Sequence, residues 1–271
     1  MHNSKYYFSA ITHRDLSDIK KLQPEGWSDI IPEITYYIDS NFCSPIKIMS
    51  DNGIVGIGAS ISLGKTCWLA HIIVDYSYRN MGLGLRIVNK LLNDIENRDQ
   101  KSILLIATDL GEPVYKKVGF KIVTEYAVFK RESSRNNMIS FENIVRYKED
   151  FRERIYEMDR MITGEDRTNI LASTIQSSMI YLQDGKMSGY FVPKLGDGTI
   201  IAESKEAGIE LMKLKFNSTN KAVIPVENKA GIKFLKENGF RELSPVKRMI
   251  LGQDIGWKPE NIYNRISGNF G

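Results

Sequence analysis

An arginine and two glycines form the stretch of this sequence that is best suited to bind a ligand. They follow an apolar run, residues 68–74, in the pattern Arg79-x-x-Gly82-x-Gly84. The apolar run predicts a strand, and the amphipathic pattern of residues 82–96 predicts a helix. A helix N-terminus presents unpaired N–H groups with partial positive charge, and glycine lets a ligand approach the backbone closely. The pattern therefore predicts a site for a ligand that carries phosphate groups.

A second group of residues lies one predicted strand further along the chain. Residues 103–107 form that strand, and Pro113, Tyr115 and the pair Gly119-Phe120 follow it. Proline fits the first position of a helix, so Tyr115 is placed in the first turn. A phenol in that place can hydrogen bond to a group that gains negative charge during a reaction.

The two motifs resemble those of the GNAT superfamily of N-acetyltransferases, in the family's order and at its separation. The resemblance covers roughly residues 6–131. It implies an α/β fold in which a mixed, largely antiparallel twisted sheet is flanked by helices. It also implies acetyl-CoA as the co-substrate that donates the acetyl group, and no metal ion.

The same resemblance implies that main-chain groups hold most of the acetyl-CoA molecule. The N–H and C=O groups of residues 72–74 are expected to hold the pantetheine arm and its thioester. The N–H groups of residues 81–85 and the Arg79 side chain are expected to hold the pyrophosphate. The predicted cofactor-binding residues are Ile72, Ile73, Val74, Arg79, Asn80, Met81, Gly82, Leu83, Gly84 and Leu85.

Tyr115 is the predicted catalytic acid of a direct attack by an amine on the thioester. A phenol with a pKa of ~10 is a weaker acid than a thiol with a pKa of ~8.5, so complete proton transfer to the departing thiolate is uphill by ~2 kcal/mol. A hydrogen bond that strengthens as the sulfur gains charge is a sufficient role. The alternative interpretation is an aromatic ring that serves packing.

The general base is left open by the sequence. An alkyl ammonium ion with a pKa of ~10.4 must lose a proton before it attacks, so a base or a chain of waters is required. His71 is interpreted as a structural histidine, because strand alternation points its side chain away from those of its neighbours; a β-bulge would reverse this. Asp109 and Glu112, beside the predicted Tyr115 helix, are better placed, although such carboxylates can simply cap a helix.

The acceptor side is predicted at Trp27 and Asp109. Trp27 lies where GNAT folds build this side, and its ring could wall a pocket or close over a cationic amine. Core packing is an equally good interpretation of Trp27. The predicted acceptor is a primary amine of a small molecule or a peptide, and its identity is open.

The second half of the chain repeats the end of the first half at an offset of 120 residues. Gly239-Phe240 falls on Gly119-Phe120, and Leu235 takes the place of Tyr115. Leucine has no acidic group, and the pattern Arg-x-x-Gly-x-Gly has no counterpart in residues 187–211. The chain thus resembles tandem GNAT proteins with a degenerate, YitH-type second domain. The predicted division is residues 1–133 for the acetyl-CoA-binding domain, 138–252 for the degenerate domain, and 253–271 for a tail that packs on the body.

Composition adds limits to this prediction. The net charge of +4 and the scattered lysines do not favour nucleic-acid binding. Two cysteines make no disulfide framework, and no apolar run approaches the ~20 residues needed to cross a bilayer. The start of the sequence lacks the apolar core of a signal peptide, so a cytoplasmic enzyme is expected. A catalytically lapsed acetyl-CoA sensor or interaction module is the alternative function, and the oligomeric state is open.

Overall fold

The chain forms two compact units in a computed structural model that describes residues 6–96, 99–132 and 141–271. The first unit contains Met1–Lys121 and Ile250–Gly252, and the second contains Ile122–Met249 and Gln253–Gly271. The predicted domain boundary at residues 133–138 lies outside the described residues. Within the described ranges, no helix combines the length and the apolar character that a bilayer span requires.

The first unit is a sheet with helices against it. Its strands are β1 (Tyr7–Ala10), β2 (Cys43–Ser50), β3 (Gly53–Leu63), β4 (Thr66–Val74) and β5 (Ser102–Ala107). Its helices are α1 (Leu16–Ile19), α2 (Ile31–Asp39), α3 (Leu83–Glu96) and α4 (Glu112–Lys117). The strands lie in the order β1-β2-β3-β4-β5, antiparallel except for the parallel pair β4 and β5.

Helix α3 packs closely on β3 because two glycines of the strand leave room for its apolar face. A Cβ atom at Gly58 would lie 2.6 Å from Cγ2 of Ile87 and 3.1 Å from Cδ1 of Leu91. A Cβ atom at Gly56 would lie 3.0 Å from Cδ1 of Ile87. The buried side chains of the helix are Leu83, Ile87, Val88, Leu91 and Ile95. This packing fixes the N-terminus of α3 relative to the sheet.

The second unit contains the remaining strands and helices. Its strands are β6 (Lys121–Lys130), β7 (Ile144–Arg146), β8 (Met179–Gln183), β9 (Lys186–Val192), β10 (Thr199–Ala202), β11 (Lys221–Pro225), β12 (Arg241–Gly252) and β13 (Ile262–Asn264). Its helices are α5 (Arg152–Thr163), α6 (Thr168–Ala172), α7 (Lys205–Ser218) and α8 (Lys229–Glu237). One sheet has the order β13-β10-β9-β8-β7, and β6 lies between β12 and β11.

The compact units do not coincide with the division predicted from the sequence. Strand β6, assigned above to the first domain, pairs along its length with β11, from Lys130 opposite Lys221 to Tyr126 opposite Pro225. This pairing places it in the second unit. The last residues of β12, Ile250–Gly252, belong to the first unit instead. Local patterning shows that a strand exists but does not show which strand it pairs with.

The tail after β12 is built into the second unit. Ile262, Tyr263, Ile266 and Phe270 are buried, and strand β13 pairs with β10.

The repeat seen in the sequence is also a repeat of local structure. The N–H of Phe120 donates to the C=O of Tyr115 at 3.2 Å, and the N–H of Phe240 donates to the C=O of Leu235 at 3.1 Å. The glycine before each phenylalanine has a positive φ, 99° at Gly119 and 78° at position 239. Helices α4 and α8 therefore end in the same way, through a glycine that adopts a left-handed conformation.

Candidate active site

The first unit contains a gap between its two parallel strands. β4 and β5 pair only at their beginnings, from Thr66 opposite Ser102 to Trp68 opposite Leu104. Both strands are fully described, and neither pairs with the other beyond these positions. The last residues of β4, which include the predicted Ile72, Ile73 and Val74, thus present a backbone edge toward the gap.

A β-bulge bends β4 just before this edge. Ile57 of β3 lies opposite Ile73, whereas Ala59 lies opposite Ala70, so that one residue of β3 faces two of β4. His71 is in the bulge and has a φ of 48°, an uncommon conformation for a residue other than glycine. The regular alternation assumed in the sequence analysis therefore fails at His71.

The loop after β4 turns the chain into the first turn of α3. The side chain of Asp75 accepts a hydrogen bond from the N–H of Ser77 at 2.8 Å. Asn80 and Gly82 have φ values of 62° and 77°, and α3 begins at the next residue, Leu83. The left-handed conformation at position 82 suits glycine, which has no Cβ to clash.

The N-terminus of α3 is suited to an anion. The first helical hydrogen bond joins the N–H of Arg86 to the C=O of Gly82 at 3.1 Å. The N–H groups of Leu83, Gly84 and Leu85 precede this bond and extend from the positive end of the helix. A Cβ atom at Gly82 would meet no atom within 4 Å, and one at Gly84 only Cγ2 of Val74 at 3.9 Å. Open space over these glycines fits the close approach of a diphosphate.

Arg79 is held beside this helix end. Its Nε atom donates to the C=O of Val74 at 3.4 Å, and its guanidinium carbon lies 5.1 Å from the ring centroid of Tyr76. The side chain is half-buried, while the neighbouring Asn80 and Met81 are exposed. A guanidinium group can bind phosphate oxygens with two hydrogen bonds in one plane. The loop therefore brings together the predicted cofactor-binding residues from Ile72 to Leu85.

Tyr115 lies in α4, which packs against α3. Its side chain is 8% exposed, and burial raises the pKa of its phenol to about 12. The Phe120 ring meets the Tyr115 ring edge-on at 6.0 Å between centroids. A Cβ atom at Gly111 would lie only 2.9 Å from Cε2 of Tyr115. Its hydroxyl makes no hydrogen bond with the part of the chain that the structure describes. The phenol is thus held by packing and stays protonated at neutral pH.

The acceptor-side prediction brings together Trp27 and His71, with Tyr37 as a partner that sequence reasoning missed. The hydroxyl of Tyr37 lies 2.9 Å from Nδ1 of His71, and the Trp27 and His71 rings meet edge-on at 6.1 Å between centroids. Trp27 is 46% exposed, so it is not a core residue. Burial lowers the pKa of His71 to about 4, which makes the imidazole neutral at pH 7. No local sequence signal marks the pairing of Tyr37 with His71, because the two residues are 34 positions apart.

The two carboxylates beside α4 differ in their surroundings. Asp109 is exposed in the turn that follows β5. Glu112 forms an ion pair with Lys116 one turn along the helix, at 2.5 Å. The N–H of Gly111, the residue before the helix, donates to Oγ1 of Thr108 at 3.3 Å.

Histidine, cysteine and carboxylate side chains form no group of three or more that could hold a metal ion within residues 6–96, 99–132 and 141–271.

The second unit lacks the loop that marks the first. β10 ends at Ala202 and α7 begins at Lys205, whereas β4 ends at Val74 and α3 begins only at Leu83. The N-terminus of α7 is capped by its own chain, because Oγ of Ser204 accepts a hydrogen bond from an N–H of the first turn at 3.2 Å. Leu235, at the position of Tyr115, is fully buried.

Comparison with known proteins agrees with this architecture. Two models of an acetyltransferase (GNAT) domain match the chain, at residues 16–138 and 155–264. The uncharacterized N-acetyltransferase YitH of Bacillus subtilis (strain 168) is 28% identical over 160 residues, or 55% of this chain and 56% of that protein. The match therefore spans about half the length of that curated relative.

Solved structures show the same fold at low sequence identity. A protein of Pyrococcus horikoshii assigned as an acetyltransferase superposes with a TM-score of 0.82 at 19% identity, over 100% of this chain and 99% of that one. A GCN5-related N-acetyltransferase from Sphaerobacter thermophilus superposes with a TM-score of 0.67 at 12% identity, over 91% and 95% of the two chains. Because two GNAT domain models cover most of the sequence and the fold agrees with them, the chain belongs to the GNAT superfamily of acetyltransferases and carries two GNAT domains in tandem.

Proposed function

We propose that this chain is an acetyl-CoA-dependent N-acetyltransferase that acetylates a primary amine of a small molecule or a peptide. The observation that carries the proposal is the open N-terminus of α3, with its left-handed Gly82, next to the unpaired end of β4. Acetyl-CoA is the acetyl donor of GNAT acetyltransferases and supplies an activated acetyl thioester when bound.

The first task of the protein is to hold the donor. The N–H groups of Leu83, Gly84 and Leu85 and the guanidinium of Arg79 would bind the diphosphate. The backbone edge of residues 72–74 would bind the pantetheine arm in the manner of an added strand. Fixing the donor in this way makes the attack nearly unimolecular, which is worth up to about 7–11 kcal/mol in well-aligned systems.

The second task is to stabilise the leaving thiolate, and we assign it to Tyr115. Burial raises the pKa of Tyr115 to about 12, so the phenol does not give up its proton completely. Its unpartnered hydroxyl is instead a hydrogen-bond donor that acts as negative charge develops on sulfur. Packing against Phe120 limits where that hydroxyl can move.

The third task is to receive the amine. We assign the exposed face of Trp27 and the carboxylate of Asp109 to the acceptor side. The Trp27 ring can pack against the carbon chain of an amine or lie over its ammonium group. His71 touches the Trp27 ring and is neutral at pH 7, so it adds no positive charge that would repel the amine.

A panel of amines with acetyl-CoA tests the proposal. Thiol release would be followed for amino acids, polyamines, aminoglycosides and short peptides with free N-termini, and acetylated products would be identified by mass spectrometry. We expect release that depends on one class of amine and falls strongly in Tyr115→Phe. Binding of acetyl-CoA without amine-dependent release across the panel would favour the alternative of a sensor whose catalysis has lapsed.

A further inference from the structure

The second unit has a counterpart of the gap between β4 and β5. In both units a strand leads into a helix of 14 residues, α3 in the first and α7 in the second, and the next strand follows the helix. β10 therefore corresponds to β4, and β11 corresponds to β5. The first unit leaves the edges of these strands apart, and the second unit does not.

The C-terminal strand β13 fills the gap of the second unit. It runs antiparallel to β10, with Asn264 opposite Ile200 and Ile262 opposite Ile201. On its other side, the N–H of Arg265 donates to the C=O of Val223 in β11 at 3.0 Å. Residues 262–265 thus provide hydrogen-bond partners to both strands that border the gap.

Asn264 completes the junction between these strands. Its side chain is fully buried, and its Oδ1 accepts a hydrogen bond from the N–H of Val223 at 3.0 Å. Its Nδ2 donates to the C=O groups of Gly198 at 2.8 Å and Asp197 at 3.1 Å. The hydroxyl of Thr199 donates to the C=O of Asn264 at 3.1 Å. A buried amide whose donors and acceptor are all used resists displacement, since each lost partner leaves a buried polar group unsatisfied.

Two further side-chain amides hold the tail on either side of β13. Nδ2 of Asn228 donates to the C=O of Ile262 at 3.0 Å, and Nδ2 of Asn261 donates to the C=O of Ala202 at 2.7 Å.

Tyr263 covers the start of α7. A Cβ atom at Gly208 would lie 2.2 Å from Cζ of Tyr263, so the ring lies directly on the first turn of the helix. The Tyr263 side chain is 3% exposed. In α3 the corresponding surface is open, because Gly82 has no atom within 4 Å of its missing Cβ. The tail therefore occupies both the strand gap and the helix end in the second unit.

We propose that residues 262–265 are a built-in occupant of the second unit's ligand cleft, so that each chain binds one acetyl-CoA, in the first unit only. This rests on the function proposed above for the first unit. In the second unit the chain itself makes the backbone contacts that the first unit leaves for a ligand. The second domain has thus exchanged ligand binding for self-packing.

Native mass spectrometry with saturating acetyl-CoA counts the ligands on each chain. We expect one for the wild type, none for Gly82→Val and one for the matched control Gly185→Ala. Gly185 has a φ of 74°, close to the 77° of Gly82, and also has no atom within 4 Å of its missing Cβ. Circular dichroism would establish that both variants are folded.

The outcomes separate this inference from the proposed function. Two ligands on the wild type, or one ligand retained by folded Gly82→Val, would overturn the occupied cleft. No ligand on the wild type would instead overturn the proposed function of the first unit.

Hydrogen exchange gives an independent readout of the tail without any variant. We expect the N–H groups of Val223 and Arg265 to exchange slowly, and at the same rate with and without acetyl-CoA. Faster exchange in the presence of acetyl-CoA would mean that the ligand displaces β13, and the proposal would be wrong.

Discussion

The hydroxyl of Tyr37 and Nδ1 of His71 lie 2.9 Å apart and join helix α2 to the bulge of β4. This hydrogen bond holds the imidazole of a residue whose backbone has a φ of 48°. Burial raises the pKa of Tyr37 well above its usual value and lowers the pKa of His71 to about 4. Both groups are therefore neutral at pH 7, and the pair is a fixed, uncharged contact beside Trp27.

The low pKa of His71 predicts a loss of stability in mild acid. In the unfolded chain the pKa of the imidazole returns to its usual 6.5, so that between pH 6.5 and 4 the unfolded state binds more protons than the folded state. The free energy of unfolding should consequently fall as the pH is lowered through this window, by about 3 kcal/mol in total from this group.

Urea unfolding from pH 7 to pH 4 in wild type and His71→Asn measures this contribution. Asparagine tolerates a positive φ and does not titrate in the window. We expect the variant to have the shallower pH dependence. Identical slopes would show that His71 is not held neutral by the fold.

Arg79→Gln should weaken acetyl-CoA binding, because it removes a positive charge next to the diphosphate. A hydrogen bond to a charged group is worth about 1.5–3 kcal/mol, which corresponds to a loss of roughly 10- to 100-fold in affinity. The salt dependence of binding should also decrease. Arg241→Gln is the control, since that side chain is 84% exposed and the substitution removes the same charge in the second unit. Equal affinities of the two variants for acetyl-CoA would remove Arg79 from the site.

Tyr115→Phe should lower turnover by ~10²–10⁴-fold and leave acetyl-CoA affinity nearly unchanged. The ring and its contact with Phe120 remain, and the hydroxyl makes no hydrogen bond within the described residues, so little stability should be lost. Because burial raises the pKa of Tyr115 to about 12, ionisation of the phenol should not limit the wild-type rate below that pH. Single-turnover and steady-state rates check this, and unchanged turnover would assign the ring to packing alone.

Trp27→Ala should raise the KM for the amine and not the dissociation constant of acetyl-CoA. Loss of an aromatic face over a cation costs about 0.5–2 kcal/mol, or roughly 2- to 30-fold in KM. Tyr7→Ala is a suitable control, because Tyr7 is an exposed aromatic of the same unit, at 52% against 46% for Trp27. If both variants changed the KM equally, Trp27 would have no specific place on the acceptor side.

The two helix glycines at positions 84 and 208 should respond in opposite ways to alanine. Gly208→Ala drives a Cβ atom to within 2.2 Å of the Tyr263 ring, so the tail must move and the melting temperature should fall. Gly84→Ala meets its nearest atom only at 3.9 Å, so the helix should gain up to about 1 kcal/mol from the better helix former while acetyl-CoA binding weakens. Thermal unfolding of both variants decides this, and a stable Gly208→Ala would contradict the packing of Tyr263 on α7.

Elements with strong local patterns could be predicted from the sequence. The strand at residues 66–74 and the helix at 229–237 have the predicted bounds, and α3 begins one residue later than predicted. Each combines a clear hydrophobic period with defined ends. The helix predicted over residues 12–22 is instead broken, with α1 limited to Leu16–Ile19 between two 3-10 turns.

Features that depend on distant partners could not be predicted. Strands β7 and β13 have three residues each, and such strands are defined by pairing with chain far away in sequence. The bulge at His71 and its contact with Tyr37 likewise come from tertiary packing. The binding loop could be predicted because Arg79, Gly82 and Gly84 are consecutive in sequence and act largely through local backbone geometry.

Calorimetric titration of the purified chain with acetyl-CoA tests the central claim most directly. The account predicts saturable binding that is lost in Gly82→Val, because a branched side chain at this position fills the open space over the helix end and strains a residue with a φ of 77°. Absence of binding to the wild type, or undiminished binding to the folded variant, would contradict the assignment of the loop as the acetyl-CoA site.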